Sequence, residues 1–161
     1  MAIASVLTNS FKKELMQSGH NFNTAAQTPA GSAFKLALYT DAASLGTTTT
    51  VYATTNEITN AAGSAYSAGG KALTNSGVTA TTVTSHTSFA DLSAANGTAW
   101  TSASFTTRGC LIYNTSALGG FTTNRAVCSV DFGANKTVSN GTFSIEFPTN
   151  SNSAAIIRLT S

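Results

Sequence analysis

A chain of 161 residues with 42% apolar residues, nine of them phenylalanine, has the material for one hydrophobic core, which argues against global disorder. Only 9% of its residues are charged, against roughly 25% in an average soluble domain, and the balance is +2. So little charge, scattered singly apart from Lys12-Lys13, argues against a nucleic-acid-binding stripe. No apolar run reaches the ~18 residues of a membrane span.

Threonine, serine, asparagine, alanine and glycine fill the space that charges usually occupy. Threonine favours strands, because its branched Cβ suits a pleated surface, and asparagine, serine and glycine favour turns. The resulting surface offers neutral hydrogen-bonding groups and little Coulomb repulsion. Such a surface suits a domain that spends its life packed against neighbours.

At the N-terminus, Ile3, Leu7, Phe11 and Leu15 recur every four residues around Lys12, Lys13 and Glu14. That stripe predicts a helical segment over 1–18, stopped at Gly19, with Thr8 or Asn9 able to cap a shorter version starting near Ser10. Lacking an early Lys or Arg, it reads as a retained amphipathic segment rather than a signal peptide. The helix either packs on its own domain or lies across a neighbouring subunit.

Residues 20–33 read as a loop. Phe34 to Tyr39 then alternates, with Phe34, Leu36 and Leu38 on one face of a strand. Thr47 to Thr55 encloses Val51 and Tyr52 and reads as an extended arm or an edge strand. Residues 60–70 form a connection rich in Gly, Ala and Ser. Lys71–Asn75 and Val78–Phe89 are expected as strands joined by a turn at Asn75-Ser76-Gly77. Ala103 to Tyr113 becomes apolar on both faces near its end, as a central strand does. After a loop through Gly119-Gly120, Ala126, Cys128, Val130 and Phe132 alternate cleanly. Asn140-Gly141 signals a hairpin, followed by a strand carrying Phe143, Ile145 and Phe147, and a last strand over Ala155–Leu159. The pattern predicts a mainly β chain: one antiparallel β-sandwich or jelly-roll-like domain over 34–161, preceded by one N-terminal α-helix. Phe34, Leu36, Leu38, Leu111, Val130, Phe132, Phe143, Ile145 and Phe147 are its expected continuous core.

Motifs that carry chemistry are missing. His86 lies five residues before Asp91, but no serine sits on a Gly-x-Ser-x-Gly elbow that would make it a nucleophile. Cys110, Cys128, His20 and His86 are the only Cys and His residues and lack paired zinc spacing. Gly69-Gly70-Lys71 ends like a phosphate-binding loop, yet Ala65 and Ala72 stand where that loop needs Gly and Ser or Thr. The Asn-x-Thr/Ser sequences at Asn96, Asn114, Asn135 and Asn140 read as turns in a chain so rich in both residue types. No enzyme activity, metal or cofactor is expected.

Several phrases carry a family likeness. Met1 to Leu15, then Phe34 to Thr40, then Tyr52 to Glu57 resemble the opening of small structural virion proteins from tailed phages of aquatic bacteria. Trp100, Arg108-Gly109-Cys110-Leu111-Ile112-Tyr113-Asn114 and Val130-Asp131-Phe132-Gly133 follow in the order of that family. Cys110 and Cys128 stand where the family pattern more often has small or aliphatic residues. The resemblance implies a virion component assembled in the host cytoplasm, which binds the major capsid protein, copies of itself, or both. Capsid decoration (cement) is the favoured role. A tail, neck or fibre component that binds a host surface or glycan is the alternative, with Trp100, Tyr66 and Tyr113 as sugar-stacking candidates. Ile3, Leu7, Phe11, Leu15, Val51 and Tyr52 are the candidate partner contacts, being apolar and outside the clear strands. Cys110 and Cys128, symmetric about Gly119, are expected on neighbouring strands and, in a reducing cytoplasm, as free thiols.

Overall fold

The computed structural model describes residues 2–59 and 64–160. Its elements in chain order are β1 (Val6–Leu7), α1 (Asn9–Met16), β2 (Phe34–Tyr39), β3 (Lys71–Leu73), β4 (Asn75–Ala80), β5 (Thr84–Phe89), β6 (Trp100–Asn114), β7 (Arg125–Phe143) and β8 (Ile157–Thr160). They form two antiparallel sheets, one in the order β1-β7-β6-β2-β3 and one in the order β4-β5-β8. The chain is a β-sandwich-like single domain, with one short helix among the described residues.

The larger sheet is buried on both faces at its middle. From β2, Phe34, Leu36 and Leu38 join the main core, together with Cys110 and Ile112 of β6, Phe89 of β5 and Ile157 of β8. Ala37, Tyr39, Leu111 and Tyr113 point the other way, into a second cluster closed by Ile3, Ala43 and Leu45. Apolar side chains on both faces are what a strand covered from both sides requires. The expected single core is therefore two layers, with Leu111 in the second. The rest of the expected core divides similarly. Phe34, Leu36, Leu38 and Leu111 are at most 1% exposed, whereas Val130, Phe132, Phe143, Ile145 and Phe147 are only partly buried against the main cluster.

The helix is shorter than its four-residue spacing suggests. Ile3 pairs with Leu45 in a lone parallel bridge, and Val6 and Leu7 pair with Ser129 and Cys128. Ile3 thus enters the second cluster while Leu7 leans on the main one, on opposite faces of the sheet. A helical stripe would have placed them together; strand pairing on β7 takes the backbone groups a first helical turn would have used. Thr8 then caps α1, its Oγ1 accepting the Phe11 N–H at 3.2 Å. Beyond Met16, Ser18 adopts a left-handed φ of 61°, and the Gly19 N–H returns to the Glu14 carbonyl at 2.8 Å.

Two turn signals become bulges. Asn75-Ser76-Gly77 lies within β4, where the pairing with β5 slips between Asn75 and Val78 and Gly77 holds a φ of 82°. The expected strand Val78–Phe89 is instead a hairpin of β4 and β5 that turns at Thr81–Val83. Asn140-Gly141 lies inside β7, which runs unbroken to Phe143 opposite Trp100. Asn140 takes a φ of 46° and donates its N–H to Ser104 Oγ at 2.9 Å, so the left-handed residue absorbs a register slip instead of reversing the chain. Ile145 contributes only a bridge to Leu92.

The threonine-rich stretch makes no strand. It crosses the second cluster as a strap, tied by Asn9 N–H to Thr47 O at 2.9 Å, Ala126 N–H to Thr50 O at 2.9 Å and Tyr52 N–H to Asn124 O at 2.8 Å. Of the connection over 60–70, residues 60–63 lie outside those described.

Candidate functional site

Of the candidate partner contacts, Ile3 (4% exposed) and Phe11 (1%) are spent inside their own chain. Leu7 and Leu15 are partly buried against the main core, and Tyr52 packs on the second cluster. Val51 alone stands out, 47% exposed on the strap. Beside it the strap borders an open depression of about 380 Å³ lined by Thr48, Thr49, Thr50, Val51 and Thr55. The sugar-stacking candidates Trp100 (2%), Tyr66 (0%) and Tyr113 (2%) are core residues with no face to offer a ligand.

The strap is fastened from beneath by a carboxylate. Glu57 is buried, and its Oε1 accepts the Tyr66 hydroxyl at 2.6 Å and the Gly69 N–H at 2.7 Å. Its Oε2 accepts the Tyr52 hydroxyl at 2.6 Å. Tyr66 in turn accepts the Leu38 N–H, and Tyr113 donates to the Gly69 carbonyl at 2.7 Å while its ring stacks on Tyr52 at 4.5 Å. The Tyr39 hydroxyl donates to the Ala53 carbonyl at 2.6 Å. All four tyrosines of the chain thus converge on one acid and its loops. Burial, reinforced by Glu57, raises the pKa of Tyr39, Tyr52 and Tyr66, and pushes Tyr113 up to about 12, so each stays a hydroxyl donor. Gly69-Gly70 belongs to this fastening. Gly70, at a φ of 66°, lies so close to β2 that a Cβ would fall 1.8 Å from the Leu36 carbonyl oxygen.

A second network anchors α1. Glu14 Oε2 accepts His20 Nε2–H at 2.8 Å and Arg125 Nε–H at 2.9 Å. Asn114 Nδ2 donates to His20 Nδ1 at 3.0 Å, its own orientation fixed because its Oδ1 accepts the Ser116 N–H. Arg125 also donates to the carbonyls of Thr122 and Gly19 and stacks on Phe121. Burial lowers the His20 pKa, with Arg125 adding to the effect and the Glu14 hydrogen bond opposing it. Both ring nitrogens are taken by the chain itself, so His20 works as a bracket between helix and sheet.

His86 is buried in β5, across from Arg158, with its Nδ1 unpartnered. Asp91 does not orient it; its Oδ1 accepts the Phe147 N–H at 2.7 Å. Among the described residues, no three His, Cys, Asp or Glu side chains gather as a metal site would need, and no helix is long and apolar enough to cross a membrane. Asp131 takes a bidentate grip from Arg108, at 2.7 and 3.1 Å, and accepts the Gly133 N–H at 2.9 Å. These three residues of the Arg108 and Val130–Gly133 phrases therefore brace the β6–β7 pair.

Comparison with protein-family models, curated proteins and solved structures finds no match to this chain.

Another open feature lies at the far end of β7. Phe132, Lys136, Phe143, Ser144, Ile145 and Glu146 line a depression of about 370 Å³. Phe132 ends an aromatic series through Phe143 and Phe105 to Trp100 and Tyr66, with neighbouring ring centroids 5.2 to 6.5 Å apart. Sequence reading missed Glu57, Asn114 and Arg125, whose partners lie up to 111 residues away. A lone acid among threonines was the available hint for Glu57.

Proposed function

We propose that this chain is a structural protein of a tailed-phage virion, a capsid decoration (cement) protein that binds the assembled major capsid shell and stabilises it. The observation that carries this reading is the strap: a hydroxyl-rich, uncharged surface with Val51 exposed at its middle, fastened rigidly to the sheet by Glu57 and the tyrosines. A preformed surface loses little conformational entropy on docking, and neutral donors and acceptors let many copies sit side by side without repulsion. Binding the assembled shell and not its free subunits then stabilises the shell by mass action. The sequence resemblance supplies the virion context.

Locating and counting the chain in purified virions tests this. Several copies per capsomer, each with its strap against the shell, is the expected result. A single ring's worth of copies at the neck, tail or fibre would replace decoration with the alternative, and absence from virions would end the virion reading. Val51→Asp, which leaves the core untouched, should lower occupancy on the shell.

A further inference from the structure

We infer that a second copy of this chain docks on the depression lined by Phe132, Lys136, Phe143, Ser144, Ile145 and Glu146, forming a two-fold symmetric dimer. The first observation is the state of β7. Beside it, β1 pairs only with Cys128 and Ser129, and beyond Ser129 no strand among the described residues pairs with that edge as far as Phe143. Natural proteins usually blunt a long free edge with charges, proline, bulges or a covering segment, and of these β7 has bulges where its register against β6 slips, between Asp131 and Lys136 and around Asn140. Between Phe132 and Ile145 there is no proline, and Lys136 is the only charge.

The second observation is the apolar floor. Phe132, Phe143 and Ile145 reach the main core yet remain partly exposed, where the rest of that aromatic series is covered. The third decides the occupant. The rim carries one cation, Lys136, and one anion, Glu146, both exposed. A surface with one charge of each sign is complementary to its own copy, because a two-fold axis sets residue i against j and j against i. Each Lys136 then meets the Glu146 of the other copy, twice per dimer. A net charge of +2 leaves little repulsion to overcome. This surface is separate from the strap, so the inference stands apart from the virion reading.

Charge exchange tests it on the full-length protein, by sedimentation velocity and equilibrium over a concentration series. Wild type should show a monomer–dimer equilibrium. Lys136→Glu and Glu146→Lys each set like charges together at both symmetric contacts, and each should weaken dimerisation roughly ten-fold. The double exchange should restore affinity to within about three-fold of wild type by the same symmetry. Both positions are exposed, so the variants should keep the wild-type thermal midpoint, which checks folding. A wild type that stays monomeric at all concentrations would overturn the inference, as would single variants that still dimerise normally or a double exchange that fails to rescue. A monomer that nonetheless decorates virions would remove this dimer and leave the proposed function standing.

Discussion

Cys110 and Cys128 lie on adjacent strands but two residues out of register: Cys110 faces Val130 across the β6–β7 pair, and Cys128 faces Ile112. A diagonal pair of this kind sets its Cβ atoms roughly 7–8 Å apart or somewhat less, whereas a bridge wants about 3.5–4.5 Å. Both thiols are free and buried. Burial pushes the Cys128 thiol up to about 12 and raises Cys110 as well, with Cys128 adding to the effect. Because the thiolate is the nucleophile, the folded protein should resist alkylation at pH 8 and take up two labels only after denaturation. An unlabelled denatured chain two hydrogens lighter, or rapid labelling of the native one, would contradict this arrangement.

The Glu57 network should be worth more than its size suggests. Tyr66→Phe removes one of three donors to a buried carboxylate and strips the Leu38 N–H of its acceptor. A loss of about 1.5–3 kcal/mol is expected, seen as a lower urea midpoint at unchanged slope. Tyr52→Phe removes a donor that is only partly buried and should cost less. Equal losses would mean that burial of the hydroxyl is not what sets the energy.

His20 gives the fold a pH dependence of known sign. Its folded pKa lies below the ordinary 6.5, so on acidification the unfolded chain takes up a proton first. Its contribution is present in full above about 6.5, falls as the pH drops through that value, and levels off below the folded pKa. The thermal midpoint should therefore decline between pH 7.5 and 5.5. That decline should be shallower in His20→Gln, whose amide can still donate to Glu14. An identical slope in both proteins would assign the effect to other groups.

The burial pattern separates two phenylalanines that look alike in the sequence. Phe34 is 1% exposed, and Phe34→Ala should cost about 3–5 kcal/mol. Phe132 is only partly buried, so Phe132→Ala should cost less than that, in proportion to the area it still shows to water. Denaturant unfolding of the two variants side by side is the measurement, and a Phe132 cost equal to that of Phe34 would contradict the surface groove.

Phe11 is likewise 1% exposed, and Glu14 ties α1 to His20 and Arg125. Deleting residues 2–18 should therefore unfold the domain or lower its midpoint severely, as removing a buried element and its paired charge does. A truncated chain that melts like wild type would show that the helix contributes nothing to its own fold.

The sequence by itself determined which segments are strands at the centre of the sheet. Phe34 to Tyr39, the end of β6 and the start of β7 alternate or run apolar because their own side chains must cover one face or two, and that demand is written residue by residue. It also offered Thr8 as a cap, since a hydroxyl next to a helical stripe needs only the N–H three residues on. Only the tertiary structure decided what Asn140-Gly141 and Asn75-Ser76-Gly77 do. A left-handed residue turns the chain or slips the register according to whether the opposite strand continues, and β6 continues to Trp100. It alone decided that Ile3 and Leu7 face opposite sides of the sheet, because β7 competes for the backbone that the stripe would have coiled. The meeting of Glu57 with Tyr52, Tyr66 and Gly69, and of Glu14 with Arg125, follows from how the chain closes on itself. Closure places side chains by sheet order and strap path, quantities that no local pattern of residues encodes.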